Sequence, residues 1–122
     1  EYEEVAKPDG NGNYIPTGEA EILFGEMRED VGSSAYNSGL FDAIQELGST
    51  NAVFSGHDHL NDFCALYKGV YLVYAQCNGY NTYTAGERFG WPEEKWVQGV
   101  TMVNVANDGS LTFRQRFNRD YL

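Results

Sequence analysis

The spacing of hydrophobic residues divides the chain into segments of different predicted structure. In residues 38–47 the apolar side chains fall on one helical face, Ser38 can cap the first turn, and Gly48 can end the helix. The continuous apolar run at 52–54 predicts a buried central strand. A helix followed by such a strand is half of an α/β unit, in which ligands bind beyond the carboxyl end of the strand. The helical face consists of Leu40, Phe41, Ile44 and Leu47.

After residue 50 the pattern is typical of β-hairpins. Residues 63–67 and 70–75 flank a Lys68-Gly69 turn, and residues 97–105 and 111–117 flank a turn at 107–109. In the last strand, apolar residues and Gln115 alternate with polar ones, which predicts one buried face and one wet face. We therefore expect an α/β chain that is mostly β after residue 50, with one clear helix near 38–47. Arg114, Arg116 and Arg119 fit a solvated face better than a phosphate site.

Two stretches are less regular. Residues 1–36 are rich in turn formers and predict a long ordered loop region, with one helical turn around 19–29. Residues 76–96 form an excursion rich in aromatic residues, glycine and asparagine. We interpret the whole chain, 1–122, as part of a single domain in which residues 37–122 carry the helix, the strands and the hairpins.

Composition narrows the possible functions. The 122 residues carry a formal charge of −10, and half of the acidic residues lie in the first 30 positions. Such a chain repels the phosphate backbone, so we expect no nucleic-acid partner. No apolar run is long enough to predict a membrane span. The acidic residues form a solvated surface, or some of them face metal ions or a neighbouring segment.

Cysteine usage and the first residue leave the compartment open. The Lys68-Gly69 turn would place Cys64 opposite Val73, which disfavours a disulfide with Cys77 and predicts two free, largely buried thiols. One possible pair does not identify a redox compartment. The chain begins at Glu1 without a signal-peptide pattern, as though a preceding segment had been removed.

The candidate chemistry lies in the two histidines. Both occur in Gly56-His57-Asp58-His59, directly after the predicted strand. Neutral imidazole binds Zn, Fe or Mn, and two histidines one residue apart can face one ion or two. The alternative is that both histidines have a purely structural role and pack within the turn. Asn61 and Asp62 can orient the histidines or satisfy backbone groups of the turn, and Asn78, Tyr80 and Tyr83 can touch a substrate or simply pack.

The stretch from residue 52 to 63 resembles the last metal-binding motif of calcineurin-like metallophosphoesterases, and it is most similar to their purple acid phosphatase-like branch. The order of helix, strand, Gly-His-x-His, hairpin, Tyr-rich loop and terminal hairpin is also similar. Glu1-Tyr2 resembles the residues after the family's preceding histidine motif. The resemblance covers nearly the whole chain but only about half of a family domain.

That resemblance implies the C-terminal half of a four-layer α/β/β/α sandwich. It implies that His57 ligates one ion and His59 the other in a dinuclear centre of Fe, Zn or Mn. The implied reaction is hydrolysis of a phosphate ester, in which the ions activate water and neutralise developing charge. For localisation, the family resemblance alone favours a secreted or periplasmic protein.

The family's remaining ligand motifs do not occur in this sequence. Two imidazoles do not complete a dinuclear centre, and Asp58 or Asp62 would replace a bridging carboxylate poorly. We expect the chain alone to be inactive and to bind metal weakly or not at all. It would need the missing N-terminal half of the domain, and alone it could dimerise to cover exposed apolar surface. Two other hypotheses are a non-catalytic binding module and a degenerate scaffold that retains only the family fold.

Overall fold

The structure is a computed structural model that describes residues 5–8 and 14–121. It is mixed α/β and mostly strand, as predicted. Glu1-Tyr2 and much of the first predicted loop, residues 9–13, lie outside the described residues. The elements are β1 (Ala6–Pro8), β2 (Tyr14–Pro16), β3 (Glu21–Phe24), α1 (Leu40–Leu47), β4 (Ala52–Ser55), β5 (Cys64–Tyr67), β6 (Val70–Tyr74), α2 (Ala85–Phe89), β7 (Gly99–Val105) and β8 (Leu111–Phe117), with short 3-10 turns at Glu93–Lys95 and Asn118–Tyr121.

The central sheet has the strand order β3-β5-β6-β4. Strand β4 runs parallel to β6, and the other two pairings are antiparallel. The prediction of a central position for residues 52–54 was wrong for the described chain, because β4 lies at one edge of the sheet and Phe54 is 51% exposed. An apolar run predicts that both faces of a strand are buried, but it does not predict whether the strand has neighbours on both of its edges.

Both predicted hairpins are confirmed. Strands β5 and β6 pair across Lys68-Gly69 with Cys64 opposite Val73, and β7 pairs with β8 from Gly99 to Val105. The two cysteines are free, as predicted, although Cys77 is only half-buried. Cys64 is fully buried, and this burial raises the pKa of its thiol to about 11.

The sheet is covered on both faces by elements of the chain. On one face, Phe41 and Ile44 of α1 belong to the same buried cluster as Leu72 of β6. On the other face, the ring of Phe113 in β8 contacts aromatic rings from three strands of the sheet. Its neighbours are Phe24, Phe54 and Tyr71, with ring centroids 6.1, 6.4 and 5.1 Å away. The result is a helix, a sheet and a hairpin in three layers.

Helix α1 occurs where the periodicity predicts it, but its start differs. Its N-cap is Gly39, with φ 75°, and no side chain caps it, so the predicted cap by Ser38 was wrong. Its end is confirmed: Gly48 adopts φ 63° and its N–H donates to the Ile44 carbonyl. No helix in residues 5–8 and 14–121 is both long and apolar enough to cross a membrane.

The region predicted to be a loop contains three short strands, and the helical turn predicted near 19–29 is instead β3. Strand β3 pairs antiparallel with β5, with Glu21 opposite Leu66. The register shifts between Ile22 and Phe24, so Ile22 packs against the buried cluster while Phe24 faces β8. A strand four residues long needs its partner for stability, and that partner lies about forty positions downstream.

Candidate functional site

The two histidines lie in a turn that follows β4, which we call the histidine turn (residues 56–59). His57 is exposed and has φ 103°, a strained conformation for a residue with a Cβ. Gly32 packs directly on its ring, since a Cβ added to Gly32 would lie only 2.8 Å from His57 Cδ2. Gly32 thus lies against the Cδ2–Nε2 edge of the imidazole, although His57 as a whole is exposed.

His59 is half-buried and is held by Tyr83. The two rings stack with centroids 4.8 Å apart, and His59 Nδ1 lies 3.3 Å from the Tyr83 carbonyl oxygen. A carbonyl can only accept, so this bond requires Nδ1 to carry the hydrogen, which leaves the lone pair on Nε2. Partial desolvation, together with the nearby charge of Glu29, raises the pKa of the Tyr83 hydroxyl.

Asp58 points inward between the histidines and is bound to the protein's own groups. The Tyr74 hydroxyl lies 2.5 Å from Asp58 Oδ2 and 2.7 Å from the Gly56 carbonyl oxygen, and it accepts from the Asp58 N–H at 2.9 Å. The Gly32 N–H also donates to Asp58 Oδ2, at 3.0 Å. Asp58 therefore fixes the shape of the histidine turn and ties it to the loop that carries Gly32.

The four residues after the turn form what we call the anchor (residues 60–63), and all of them are buried. Asn61 Oδ1 accepts from the N–H groups of Arg28 and Glu29, at 2.8 and 3.1 Å. Its Nδ2 donates to the Glu29 carbonyl at 3.2 Å. One amide side chain thus satisfies three backbone groups of a segment more than thirty positions upstream.

Asp62 binds the same upstream segment through charge. Its Oδ1 accepts from the Glu26 N–H at 3.0 Å and from the Arg28 guanidinium at 2.6 Å. Both side chains are almost completely buried, with 4% of Asp62 and 10% of Arg28 exposed. Burial raises the pKa of Asp62 above its ordinary value, and the charge of Arg28 opposes this only in part.

The other candidate residues lie in different surroundings. Asn78 and Tyr80 both bind the amide of Asn118, whose Nδ2 is 3.0 Å from each oxygen, and the ring of Tyr80 also contacts that of Trp96. Tyr83, which lies in the same segment as Asn78 and Tyr80, contacts His59. The described side-chain contacts of Asn61 and Asp62 are with residues 26–29, and none of these bonds reaches an imidazole.

The three C-terminal arginines have unlike environments. Arg114 is exposed, which agrees with a solvated face. Arg116 donates to the Tyr121 hydroxyl at 3.1 Å. Arg119 is half-buried, donates to the Trp96 carbonyl at 2.6 Å and lies 4.1 Å above the ring of Phe117. Arg119 therefore packs the C-terminal turn, which alternation along a strand does not reveal.

Four residues of the site were not predicted from the sequence: Arg28, Glu29, Gly32 and Tyr74. Arg28 did leave a signal, because only two basic residues occur among the acidic first 30 positions. A lone arginine in an acidic segment is a candidate for a buried ion pair. Gly32 and Tyr74 carry no comparable signal, since glycine in a loop and tyrosine in a strand are ordinary.

The donor atoms present fit part of a metal site. His59 offers Nε2 because its Nδ1 is bonded, and His57 offers an exposed ring. In the part of the chain that the structure describes, no group of three or more His, Cys, Asp or Glu residues is arranged to hold a metal ion. Two histidines alone are fewer donors than a metal site needs.

Comparison with known proteins identifies relatives of this chain. It is 45% identical over 89 residues to "Probable inactive purple acid phosphatase 14" of Arabidopsis thaliana, a match that covers 73% of the chain and 20% of the relative. The chain is homologous to purple acid phosphatase-like metallophosphoesterases. The chain is also 41% identical over 61 residues to "Probable inactive purple acid phosphatase 28" of the same plant. It is 39% identical over 78 residues to "Probable inactive purple acid phosphatase 29", again of the same plant. They cover 50% and 64% of the chain.

This homology confirms the family resemblance but does not establish an activity. The chain spans only 15 to 20% of the length of these purple acid phosphatase relatives. No family model and no solved structure matches it. The mixed α/β structure, with one clear helix and mostly strands, agrees with one part of a metallophosphoesterase sandwich.

Proposed function

We propose that this chain contributes two histidine ligands, His57 and His59, to the dinuclear metal centre of a phosphate-ester hydrolase built by a longer protein. The observation that carries the proposal is the contact between His59 Nδ1 and the Tyr83 carbonyl oxygen at 3.3 Å. Such a bond at one ring nitrogen is the usual way in which proteins orient a histidine so that the other nitrogen binds a metal.

The arrangement of the turn supports this proposal over packing alone. A histidine that served only the core would be buried, whereas His57 is exposed and His59 is half-buried. His57 is also kept in a strained backbone conformation, and such strain is common where a side chain must be aimed. Asp58, which lies between them, points inward and supports the turn.

The proposed site needs residues beyond this chain. Two imidazoles leave both ions of a dinuclear centre short of ligands, and the chain spans about a fifth of its relatives' length. We propose Fe, Zn or Mn as the ions, with a phosphate ester as substrate. When bound, such ions lower the pKa of water and neutralise charge on the phosphate. This chain would orient the two imidazoles toward the ions, while Asp58 and Asp62 bond to other groups of the chain and stabilise the fold.

A second candidate function is a scaffold that retains the fold without catalysis. It is favoured by the word "inactive" in the names of all three relatives. In that case the histidine turn would persist because Asp58 and the anchor hold the fold together, and the imidazoles would bind no metal.

The remaining part of the longer protein is the proposed partner. Strand β4 has a free edge among the described residues, and its Phe54 is 51% exposed. Val100, Met102, Val103 and Val105 of β7 are also exposed, by 37 to 66%. Because such apolar surface favours association, we expect the chain alone to dimerise at high concentration. Light scattering that shows a stable monomer would contradict this expectation.

The function is tested by hydrolysis of p-nitrophenyl phosphate and by metal content, measured on a longer protein that contains this chain. We expect about two metal ions per chain, and a loss of activity of about 100-fold or more in His57→Ala and in His59→Ala. Thr112→Ala, an exposed change on β8, is the control. An inactive wild type without metal would instead favour the scaffold, and fully active histidine variants would rule out the ligand role.

A further inference from the structure

Glu29 connects the histidine turn to Tyr83, which lies in the aromatic-rich segment 76–96. Its Oε1 accepts from the Leu60 N–H at 2.8 Å, which is the backbone group directly after His59. The Tyr83 hydroxyl lies 3.3 Å from Oε2 and 3.5 Å from Oε1 of the same carboxylate. One carboxylate therefore holds the main chain beside His59 and the side chain that stacks on its ring.

The main chain of Glu29 is itself held by Asn61. The Glu29 N–H donates to Asn61 Oδ1 at 3.1 Å, and the Glu29 carbonyl accepts from Asn61 Nδ2 at 3.2 Å. Asn61 is 1% exposed, so these bonds are protected from water. Glu29 thus reaches the turn from a backbone that is bonded to the anchor.

Tyr83 acts on His59 through two separate groups. Its ring covers the imidazole face at an interplanar angle of 20°, and its carbonyl oxygen faces Nδ1. The stack sets the plane of the imidazole, while the carbonyl selects the tautomer with hydrogen on Nδ1. Tyr83 is 46% exposed, so burial restrains its side chain only in part, and its hydroxyl also bonds to Glu29.

We propose that Glu29 and Tyr83 are positioning residues for His59, which fix the plane of its ring and the Nδ1–H tautomer. Only the use of the freed Nε2 as a metal ligand rests on the proposed function. The positioning itself is a property of the chain and exists with or without a metal. His57, which has no described contact of this kind, is the internal reference.

The direct test is long-range ¹H–¹⁵N NMR of the imidazoles in the chain, at about pH 8, where an unperturbed imidazole is neutral. We expect the His59 signals to show hydrogen on Nδ1 and a lone pair on Nε2, and the His57 signals to show a mixture of tautomers. Tyr83→Leu should move His59 to a mixture like that of His57. Both variants keep the main-chain carbonyl of residue 83. Tyr83→Leu removes the stacked ring that holds the imidazole in front of this carbonyl, whereas Tyr83→Phe keeps the ring but loses the bond to Glu29, so it should give an intermediate shift.

Two further variants complete the design. Glu29→Ala loses the bond to Tyr83 and also the bond to the Leu60 N–H, so its shift should be at least as large as that of Tyr83→Phe. Tyr36→Leu, which changes a tyrosine that is 80% exposed elsewhere on the surface, should leave both histidines unchanged. Circular dichroism verifies that each variant is folded. A wild-type His59 with hydrogen on Nε2, or a Tyr83→Leu variant with an unchanged His59, would overturn the proposal.

The Zn²⁺ affinity of a longer protein separates this inference from the proposed function. If both are correct, Tyr83→Leu weakens Zn²⁺ binding by about 10-fold or more, as is usual for residues that orient a ligand. If His59 has the expected tautomer but the wild type binds no Zn²⁺, the positioning stands and the metal function fails. If Zn²⁺ binds equally well with and without Tyr83, the metal function stands and the positioning fails.

Discussion

The histidine turn and the anchor are neighbours in sequence but have opposite environments. In the turn, His57 is exposed and His59 half-buried, whereas every residue of the anchor is at most 5% exposed. The polar side chains of the anchor bond to residues 26–29, while both imidazoles of the turn are at least partly exposed. A motif that looks continuous in sequence thus has one part that is buried in the fold and one part whose histidines are accessible.

The largest effect is expected from removing the charge at the anchor. Asp62→Ala would leave the buried guanidinium of Arg28 with only the exposed carboxylate of Glu26, 3.3 Å away, and we expect a loss of about 3 kcal/mol in the free energy of unfolding. Urea unfolding measures this loss. Asp62→Asn, which retains an oxygen acceptor, should cost less. A loss below about 1 kcal/mol would mean that the anchor does not hold the fold.

The second prediction concerns the pH dependence of stability that arises from Cys64, the residue directly after the anchor. Because burial raises the pKa of this thiol from 9.0 to about 11, the unfolded chain loses the proton first as the pH rises. The folded state binds more protons in that range, so stability falls between about pH 9 and 11, by up to about 2 kcal/mol. Cys64→Ala should flatten this part of the curve, whereas Cys77→Ala should not. Equal slopes in both variants would contradict the assignment.

Tyr74→Phe tests the link between the two regions. The hydroxyl of Tyr74 contacts both Asp58 and the Gly56 carbonyl oxygen, and its removal leaves a buried carboxylate with one fewer partner. We expect a loss of about 1–2 kcal/mol in thermal or urea unfolding. Tyr36→Phe, at an exposed position, should be neutral. If the two variants behave alike, the turn is held by other contacts.

The smallest effect is expected in the turn, and its sign is opposite. His57→Gly removes the Cβ from a residue at φ 103° and should raise stability by up to about 1 kcal/mol. His57→Ala keeps the strained Cβ and should give no such gain. Differential scanning calorimetry of both variants measures the difference. A loss above about 2 kcal/mol in His57→Gly would mean that the His57 side chain stabilises the fold, as the anchor residues do.

Local patterns predicted the local parts of this structure. The helical spacing of Phe41 and Ile44, the stop at Gly48 and the two turn sequences identified α1 and both hairpins. Each of these signals acts over a few residues, which is the range in which backbone preference and side-chain periodicity decide. The metal-ligand roles of His57 and His59 remain predictions.

The parts that could not be predicted are contacts across long stretches of chain. Strand β3 forms because β5 offers it an edge, and Arg28 meets Asp62 across 34 positions. Nothing near Glu29 in sequence points to Tyr83, which lies 54 positions away. In the same loop, Tyr80 and Tyr83 have similar neighbours in sequence, and the fold alone decides that Tyr83 stacks on His59.

The most direct test of the account is the metal content of a longer protein in which both histidines of the turn are replaced, His57→Ala with His59→Ala. We expect the double variant to stay folded, with the unfolding midpoint of the metal-free wild type, and to lose most of about two ions per chain. Unchanged metal content in a folded double variant would contradict the claim that the turn presents the ligands while the anchor holds the fold.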